Sequence, residues 1–306
     1  MNKKLDLNAD VSVLEYNKVN VVSQKNVVIK KTPSSNLVFS NMPDCIEIEI
    51  NKSGDYKIEA ENKNIKITVL PNLEVKITEV NLSQNSDFVS SVELDVLEGS
   101  NVKYLVVDSK KKAYNNRLAN VLKKSHLDLY IVGFNVGYNE NKIIINLEEE
   151  YASSNLKLIT LANNNTESIY EGRINNNAPK TSADIWQKAV IKNGGSNDFI
   201  ATGFIKKGAD EASNYQESRV LLLDDASLGN ASPLLLIDHY NVVAGHAAGV
   251  SRVNEDDLYY LQTRGIDKTT AEHLMTLAFV RPLVDLIEQE DLKEFVEKQI
   301  EKIIFG

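Results

Sequence analysis

One cysteine, six prolines and one tryptophan in 306 residues set the first limits. Cys45 has no partner within the chain, so a disulfide framework is excluded, and a lone thiol fits a reducing compartment such as the cytoplasm. No run of 18 apolar residues occurs, and residues 1–10 alternate charged and apolar side chains instead of placing a basic head before an apolar stretch. The expectation is a soluble, cytoplasmic protein with no membrane partner. Positive charge is in deficit as well: 34 Lys plus Arg face 43 Asp plus Glu, a net charge of -9. Phosphate backbones need a concentrated cationic surface, which the short basic patch at Lys110, Lys111 and Lys112 does not supply, so nucleic acid is not expected as a partner.

Familiar chemical motifs are also missing. His126, His239, His246 and His273 stand in no metal-ligand spacing with one another or with Cys45. There is no GxxxxGK[ST] loop, no GxSxG elbow and no GxGxxG after a strand, so the chain is not expected to bind or hydrolyse nucleotide. Asp224 with Asp225, or Glu148 to Glu150, offer acids for sugar chemistry. Neighbouring residues on a strand point to opposite faces, however, and solvated turns explain both groups better.

What the sequence has in quantity is alternation. Ile46, Ile48 and Ile50, then Ile58, then Ile65, Ile67 and Val69, then Val75 and Ile77 alternate with polar residues in short runs, the pattern of half-buried strands. Similar runs stand at 102–107, 127–134, 142–148, 156–161, 185–191, 199–205 and 220–223. No helical period is long enough to supply crossovers, so the body reads as all-β, with sandwich, barrel and β-helix open on the pattern alone. Asparagine adds a hint. Asn135, Asn139, Asn141, Asn146, Asn155, Asn163 to Asn165 and Asn175 to Asn177 fall between or near strand ends, where stacked coils with left-handed corners would use them. An AT-rich genome would overuse Asn equally well.

The texture changes after Val253. Asn254 is a good N-cap, Glu255, Asp256 and Asp257 complement the dipole of a first helical turn, and the helix should stop at Gly265. Thr269 and Glu272 have capping-box spacing, and apolar residues from Leu274 onward recur mostly at steps of three and four to the end of the chain. The expected organisation is a β core over residues 1–253, its first 40 or so residues unassigned, followed by a small helical unit over 254–306. One local explanation of that unit is that Tyr259, Leu261, Leu274, Leu277, Phe279 and Leu283 close the end of a β-helix and cover its last coil. His246 stands in Val-Val-Ala-Gly-His-Ala-Ala-Gly, and such a lone histidine among small residues is most often a hydrogen-bonded core or turn residue.

The stretch from Ser218 to Ile266, SRVLLLDDAS and then SPLLLIDHYNVVAGHAAGVSRVNEDDLYYLQTRGI, resembles the SufB/SufD family of iron-sulfur cluster assembly proteins. The resemblance is carried by Leu221 to Asp225, by Pro233 with Leu235 and Ile237, by His246 with Ala248, and by Tyr260, Leu261, Arg264 and Gly265, with weaker similarity over 102–286. It implies a right-handed parallel β-helix with a C-terminal helical domain. It also implies a noncatalytic scaffold subunit whose helices, around Tyr260, Leu261, Arg264 and Gly265, bind a SufC-like ATPase, and whose β-helix end pairs with a SufB-like subunit or a second copy of itself. His246 takes the place of a histidine that would hold a transient iron-sulfur cluster shared with the partner chain, a metal-binding role that needs thiolates from elsewhere. Ala244, Gly245, Ala247 and Ala248 around it carry neither the Glu of the SufB-like branch nor the Cys of the SufD-like branch; the missing acid and the short chain favour SufD. Cys45, far from the motif, is expected to be a buried structural thiol. The alternatives are a SufB-like homodimeric scaffold and a β-helical protein acting on polysaccharide. The second would need stacked aromatics, and Trp186 and the scattered tyrosines form no ladder in the sequence.

Overall fold

From Cys45 onward the alternating pattern becomes a stack of coils. The computed structural model describes residues 45–60, 64–134, 136–288 and 290–305, and before them the backbone of three strands, β1 (Ser12–Tyr16), β2 (Val19–Ser23) and β3 (Val27–Thr32). Four elements build the first coils: β4 (Cys45–Ile50), β5 (Gly54–Ala60), β6 (Asn64–Val69) and the long β7 (Glu74–Val96). Then follow β8 (Asn101–Val121), β9 (His126–Gly133), β10 (Tyr138–Leu147), β11 (Ser153–Ala162), β12 (Glu167–Asn176) and β13 (Ser182–Ile191). The last coils are β14 (Ser196–Ile205) with β15 (Ser213–Leu222), and β16 (Leu228–Ile237) with β17 (Val243–Arg252).

Each later strand pairs, in parallel, with the strand one coil away and not with its neighbour in sequence. Two ladders result. One runs β4, β6, the second halves of β7 and β8, then β10, β12, β14 and β16. The other runs β5, the first halves of β7 and β8, then β9, β11, β13, β15 and β17. The fold is therefore mainly β: a parallel β-solenoid followed by three C-terminal helices, α1 (Glu255–Thr263), α2 (Lys268–Val284) and α3 (Glu290–Phe305).

Alternation decides which side chains enter the solenoid. Because strands stack in register, inward residues form columns, such as Ile48, Ile67, Leu94, Ala119, Ile145 and Ile174. All are buried, and full burial of each large aliphatic side chain is worth about 1.5–3 kcal/mol. The corners stack too. Asn72, Gly99, Lys124, Tyr151, Lys180 and Glu211 all have positive φ, and each donates its backbone N–H to a carbonyl of the next coil at 2.7–3.4 Å.

That column corrects the expected use of asparagine. Only one of its six residues is Asn, while Asn164, Asn165 and Asn193 supply left-handed corners elsewhere. Asn139, Asn141, Asn146, Asn155, Asn175 and Asn176 lie inside strands, and Asn135 falls outside the described residues. Several of their amides serve the ladder itself. Asn175 donates to Asn146, Asn146 to Asn120 and Asn120 to Asp95, at 2.8, 3.0 and 2.9 Å, so one outward column is tied by side chains as well as backbone.

Other expectations are also adjusted. Strands β12 and β17 lack an aliphatic alternation because small or polar residues occupy their inward positions: Ser168, Gly172 and Asn176 in one, Ala244, His246 and Ala248 in the other. Asn254 caps α1 as expected, its Oδ1 accepting the Asp256 N–H at 3.0 Å, and Gly265 follows with φ 86°. The cap of α2 is Asp267 and not Thr269, because the Asp267 carboxylate takes both the backbone N–H and the hydroxyl of Thr270. Lys110 is no part of a surface patch: it is fully buried, 3.4 Å from Asp108. Cys45 is buried, and burial pushes its thiol pKa up.

The helices do not cover the last coil. Val280, Val284, Ile287, Val296 and Ile300 pack on the outer face of the second ladder against Val107, Val132, Phe134, Ile159, Leu161, Val190 and Leu221. Leu277 and Phe279 join that cluster, whereas Tyr259 and Leu274 are exposed; the side chain of Leu283 lies outside the described residues. Apolar residues on the outer face of the solenoid, one row per coil, draw the helices to the flank instead of the end. Among the described residues no helix is long and apolar enough to cross a membrane.

Candidate functional site

The two ends of the solenoid differ. At the first, β3 pairs antiparallel with β4 and β2 with β5, so the edge groups of the opening coil have partners. At the other, β16 and β17 each have one neighbour, β14 and β15, and among the described residues nothing pairs their outer edges. An unpaired parallel edge presents a row of N–H and C=O groups to any strand that meets it. Apolar side chains accompany it: Leu228 is 67% exposed, Val243 59%, and Leu234, Leu236, Ile237 and Val250 are also exposed. Tyr240, at the corner between the two strands, is 93% exposed.

Register places His246 at the mouth of this open end. Pro233, Leu235 and Ile237 of β16 follow the inward columns of Ala201, Gly203 and Ile205; Ala244, His246, Ala248 and Val250 of β17 follow those of Asn214, Gln216, Ser218 and Val220. All of these supporting residues are buried. His246 itself is exposed because, among the described residues, no further coil lies above it. The motif that looked apolar and featureless in sequence is thus the rim of an unfinished core. Beside it the corner is well tied. His239 Nε2 lies 3.2 Å from Asp210, Asn241 donates to the same carboxylate at 2.8 Å, and these bonds hold its pKa down. Asp224 accepts from Asn193, Ala226 and Ser227, so it is a turn-capping residue; those bonds outweigh burial and lower its pKa.

Beneath the rim, the interior is lined by amides. Gln216 reaches across and donates through Nε2 to the Leu234 carbonyl at 2.9 Å. Asn214 donates to Asn176 Oδ1 at 2.8 Å, and Ser218 donates to Gln187 Oε1 at 2.7 Å. Gly203 makes room for them: a Cβ there would come within 2.3 Å of Asn214 Oδ1 and 2.4 Å of Gln216 Nε2. Several amide atoms here are buried without a hydrogen-bond partner, among them Gln216 Oε1, Asn214 Oδ1 and Gln187 Nε2. In sequence these residues read only as polar members of alternating runs; register with the inward columns is the signal that finds them.

The other residues singled out by the motif lie elsewhere. Tyr260, Leu261, Arg264 and Gly265 sit on α1 and its C-terminal turn, away from the packed flank cluster. Tyr260 is 57% exposed, and the Arg264 guanidinium lies 5.2 Å from its ring centroid while Arg264 Nη2 donates to the Tyr260 hydroxyl at 3.3 Å. Leu258 is the residue of α1 that is buried. Two of the scattered aromatics flank a cation: Tyr130 and Trp186 stand on either side of Lys157, 5.3 and 5.9 Å from its ammonium, on the outer face of the second ladder. No three His, Cys, Asp or Glu residues converge as metal ligands among the described residues.

Comparison with known proteins completes the picture. Residues 50–279, more than half of the chain, match the family model described as SUF system FeS cluster assembly, SufBD core domain. The iron-sulfur cluster assembly protein SufD of Bacillus subtilis is 43% identical over 118 residues, covering 39% of this chain and 27% of that protein. A SufBD family protein of Mycobacterium tuberculosis is 32% identical over 127 residues, 40% of this chain and 15% of that one, and one of Staphylococcus haemolyticus is 31% identical over 113 residues, 37% and 24%. The matches thus span about a quarter or less of these curated relatives. With the solenoid, the trailing helices and the matched core in agreement, the chain belongs to the SufBD family of the SUF iron-sulfur cluster assembly system.

Proposed function

We propose that this chain is a noncatalytic, SufD-like scaffold subunit that works in the cytoplasm. Its open end pairs with a SufB-like subunit, and its C-terminal helices, through the exposed surface of Tyr260, Leu261, Arg264 and Gly265, receive a SufC-type ATPase. The iron-sulfur cluster is cargo, held transiently where the two scaffolds meet. His246 offers one neutral ring nitrogen to iron there, and the partner chain supplies thiolates, since Cys45 is buried at the opposite end. The ATPase supplies the nucleotide chemistry.

The observation that carries this reading is the bare last coil: two unpaired parallel edges, a rim of exposed apolar side chains, and His246 among the inward residues. A monomer gains nothing from such an edge, whereas a strand-bearing partner would complete the ladders and bury the rim. Coexpression with the SufC-like ATPase and SufB-like scaffold of the same genome, followed by size-exclusion chromatography with mass determination, tests it. The expected result is a stable complex for both wild type and His246→Ala, with poor cluster assembly only in the variant. Failure to form a complex in any nucleotide state overturns the reading. A mass of two copies of this chain would point to the homodimeric scaffold.

A further inference from the structure

Directly below His246 in the inward column lies Gln216, followed by Ile185, Leu156 and Leu129. The histidine thus rests on a single buried amide set above an aliphatic stack. Gln216 is 3% exposed. Its orientation is fixed by chemistry: the Leu234 carbonyl 2.9 Å away can only accept, so the NH2 group faces it and Oε1 is the free end. Oε1 has no partner among the described residues, an expensive state for a buried carbonyl oxygen. Adjacent parallel strands lie about 4.8 Å apart, so the imidazole one rung above is within reach of that oxygen by a small side-chain tilt. Ala244 and Ala248, on either side of His246 along the inward face, leave the ring room to make it.

We propose that Gln216 is the positioning residue for His246: its Oε1 accepts one imidazole N–H, so that the opposite ring nitrogen turns its lone pair toward the open end. An amide oxygen cannot donate, so the bond selects one tautomer of the neutral ring, and a ring nitrogen freed of its proton is what a metal ligand requires. The inference rests on the role proposed above for His246 but is tested separately from it. Gln216 neither touches iron nor takes part in a proton transfer; it acts through the histidine.

Nuclear magnetic resonance of the full chain labelled with 15N-histidine reads the tautomer directly from long-range proton–nitrogen correlations, with His246→Ala assigning the signal. In wild type one tautomer should outweigh the other by about tenfold, the preference one hydrogen bond confers. Gln216→Met, which keeps the length and removes the amide, should bring the two tautomers close to parity. Gln216→Glu, whose protonated carboxyl can donate to the Leu234 carbonyl and still accept from the ring, should restore the wild-type ratio. If Gln216→Met does not fold, Gln216→Asn takes its place with the same expectation, since it draws the oxygen back by one methylene. A folded variant with the wild-type ratio overturns the proposal. In the coexpressed complex, cluster yield should fall in Gln216→Met and recover in Gln216→Glu. Should His246→Ala leave the yield intact, the role of His246 falls and with it the purpose of the pairing. Should His246→Ala abolish the yield while Gln216→Met alters neither tautomer nor yield, Gln216 alone is eliminated.

Discussion

The early and late coils bury polar groups in opposite ways. Near the beginning, Glu79 enters the interior from one ladder and Arg117 from the other, and two parallel hydrogen bonds of 2.9 Å join them across the core. Tyr104 and Asn81 also donate to the Glu79 carboxylate, and Asn81 bridges on to Asp108. Burial alone would raise the Glu79 pKa, but the Arg117 charge and these donors hold it at about 2. Burial likewise pushes Lys110 down to about 8 against the pull of Asp108. Near the end, the interior holds neutral amides, incompletely paired, under an uncovered rim. A closed end can carry full charges because their partners are built in. The end whose rim is uncovered holds groups that are tolerable while unpaired and still able to bond.

The largest effect should come from breaking the closed end. Glu79→Gln removes the anion and leaves the Arg117 guanidinium buried, and is expected to cost about 3–5 kcal/mol in urea unfolding. The paired replacement Glu79→Leu with Arg117→Met should recover most of that loss. A Gln216→Met change at the open end should cost only about 1 kcal/mol, and a cost equal to that of Glu79→Gln would dissolve the contrast.

Acid sharpens the same comparison. A carboxyl lowered from 4.5 to about 2 in the folded protein stabilises it fully above pH 4.5, and that contribution drains away as pH falls from 4.5 to 2. Its size is about 3 kcal/mol. The paired replacement should therefore lose less stability than wild type over that interval, as read by denaturant midpoints at successive pH values.

At the open end, Leu236→Lys should weaken association with the partner scaffold by about tenfold or more while moving folding stability by under about 0.5 kcal/mol. Calorimetric binding and unfolding on the same preparation check both halves. Smallest should be Glu288→Gln. Glu288 bonds to Lys76 and Lys103, and these bonds hold its pKa at about 2, but all three side chains are half exposed. A loss under about 1 kcal/mol, shrinking with added salt, is expected.

Period-two alternation made the all-β body legible, and the N-cap and glycine stop outlined α1. Stacking was not legible, because an alternating run carries the same pattern whether its neighbour is the next strand or the one after. Nor did alternation reveal Glu79, Arg117, Gln187 or Gln216 as interior residues, since polar members of such runs ordinarily face water. Strand β17 was hidden for a related reason: its inward positions hold Ala244, His246 and Ala248 in place of large aliphatics. His246 was located by the motif, and its place on the rim by register alone.

The flank cluster has one more consequence. Helices α2 and α3 and the turn between them touch row after row of the second ladder, from Lys76 and Lys103 at Glu288, through Val107, Phe134 and Ile159, to Lys188, whose ammonium donates to the Phe279 carbonyl at 2.8 Å, and on to Leu221. They lie along the solenoid as a splint lies along a limb. A pull applied to the helices would therefore be spread over the coils from β7 to β15 and would not fall on one of them.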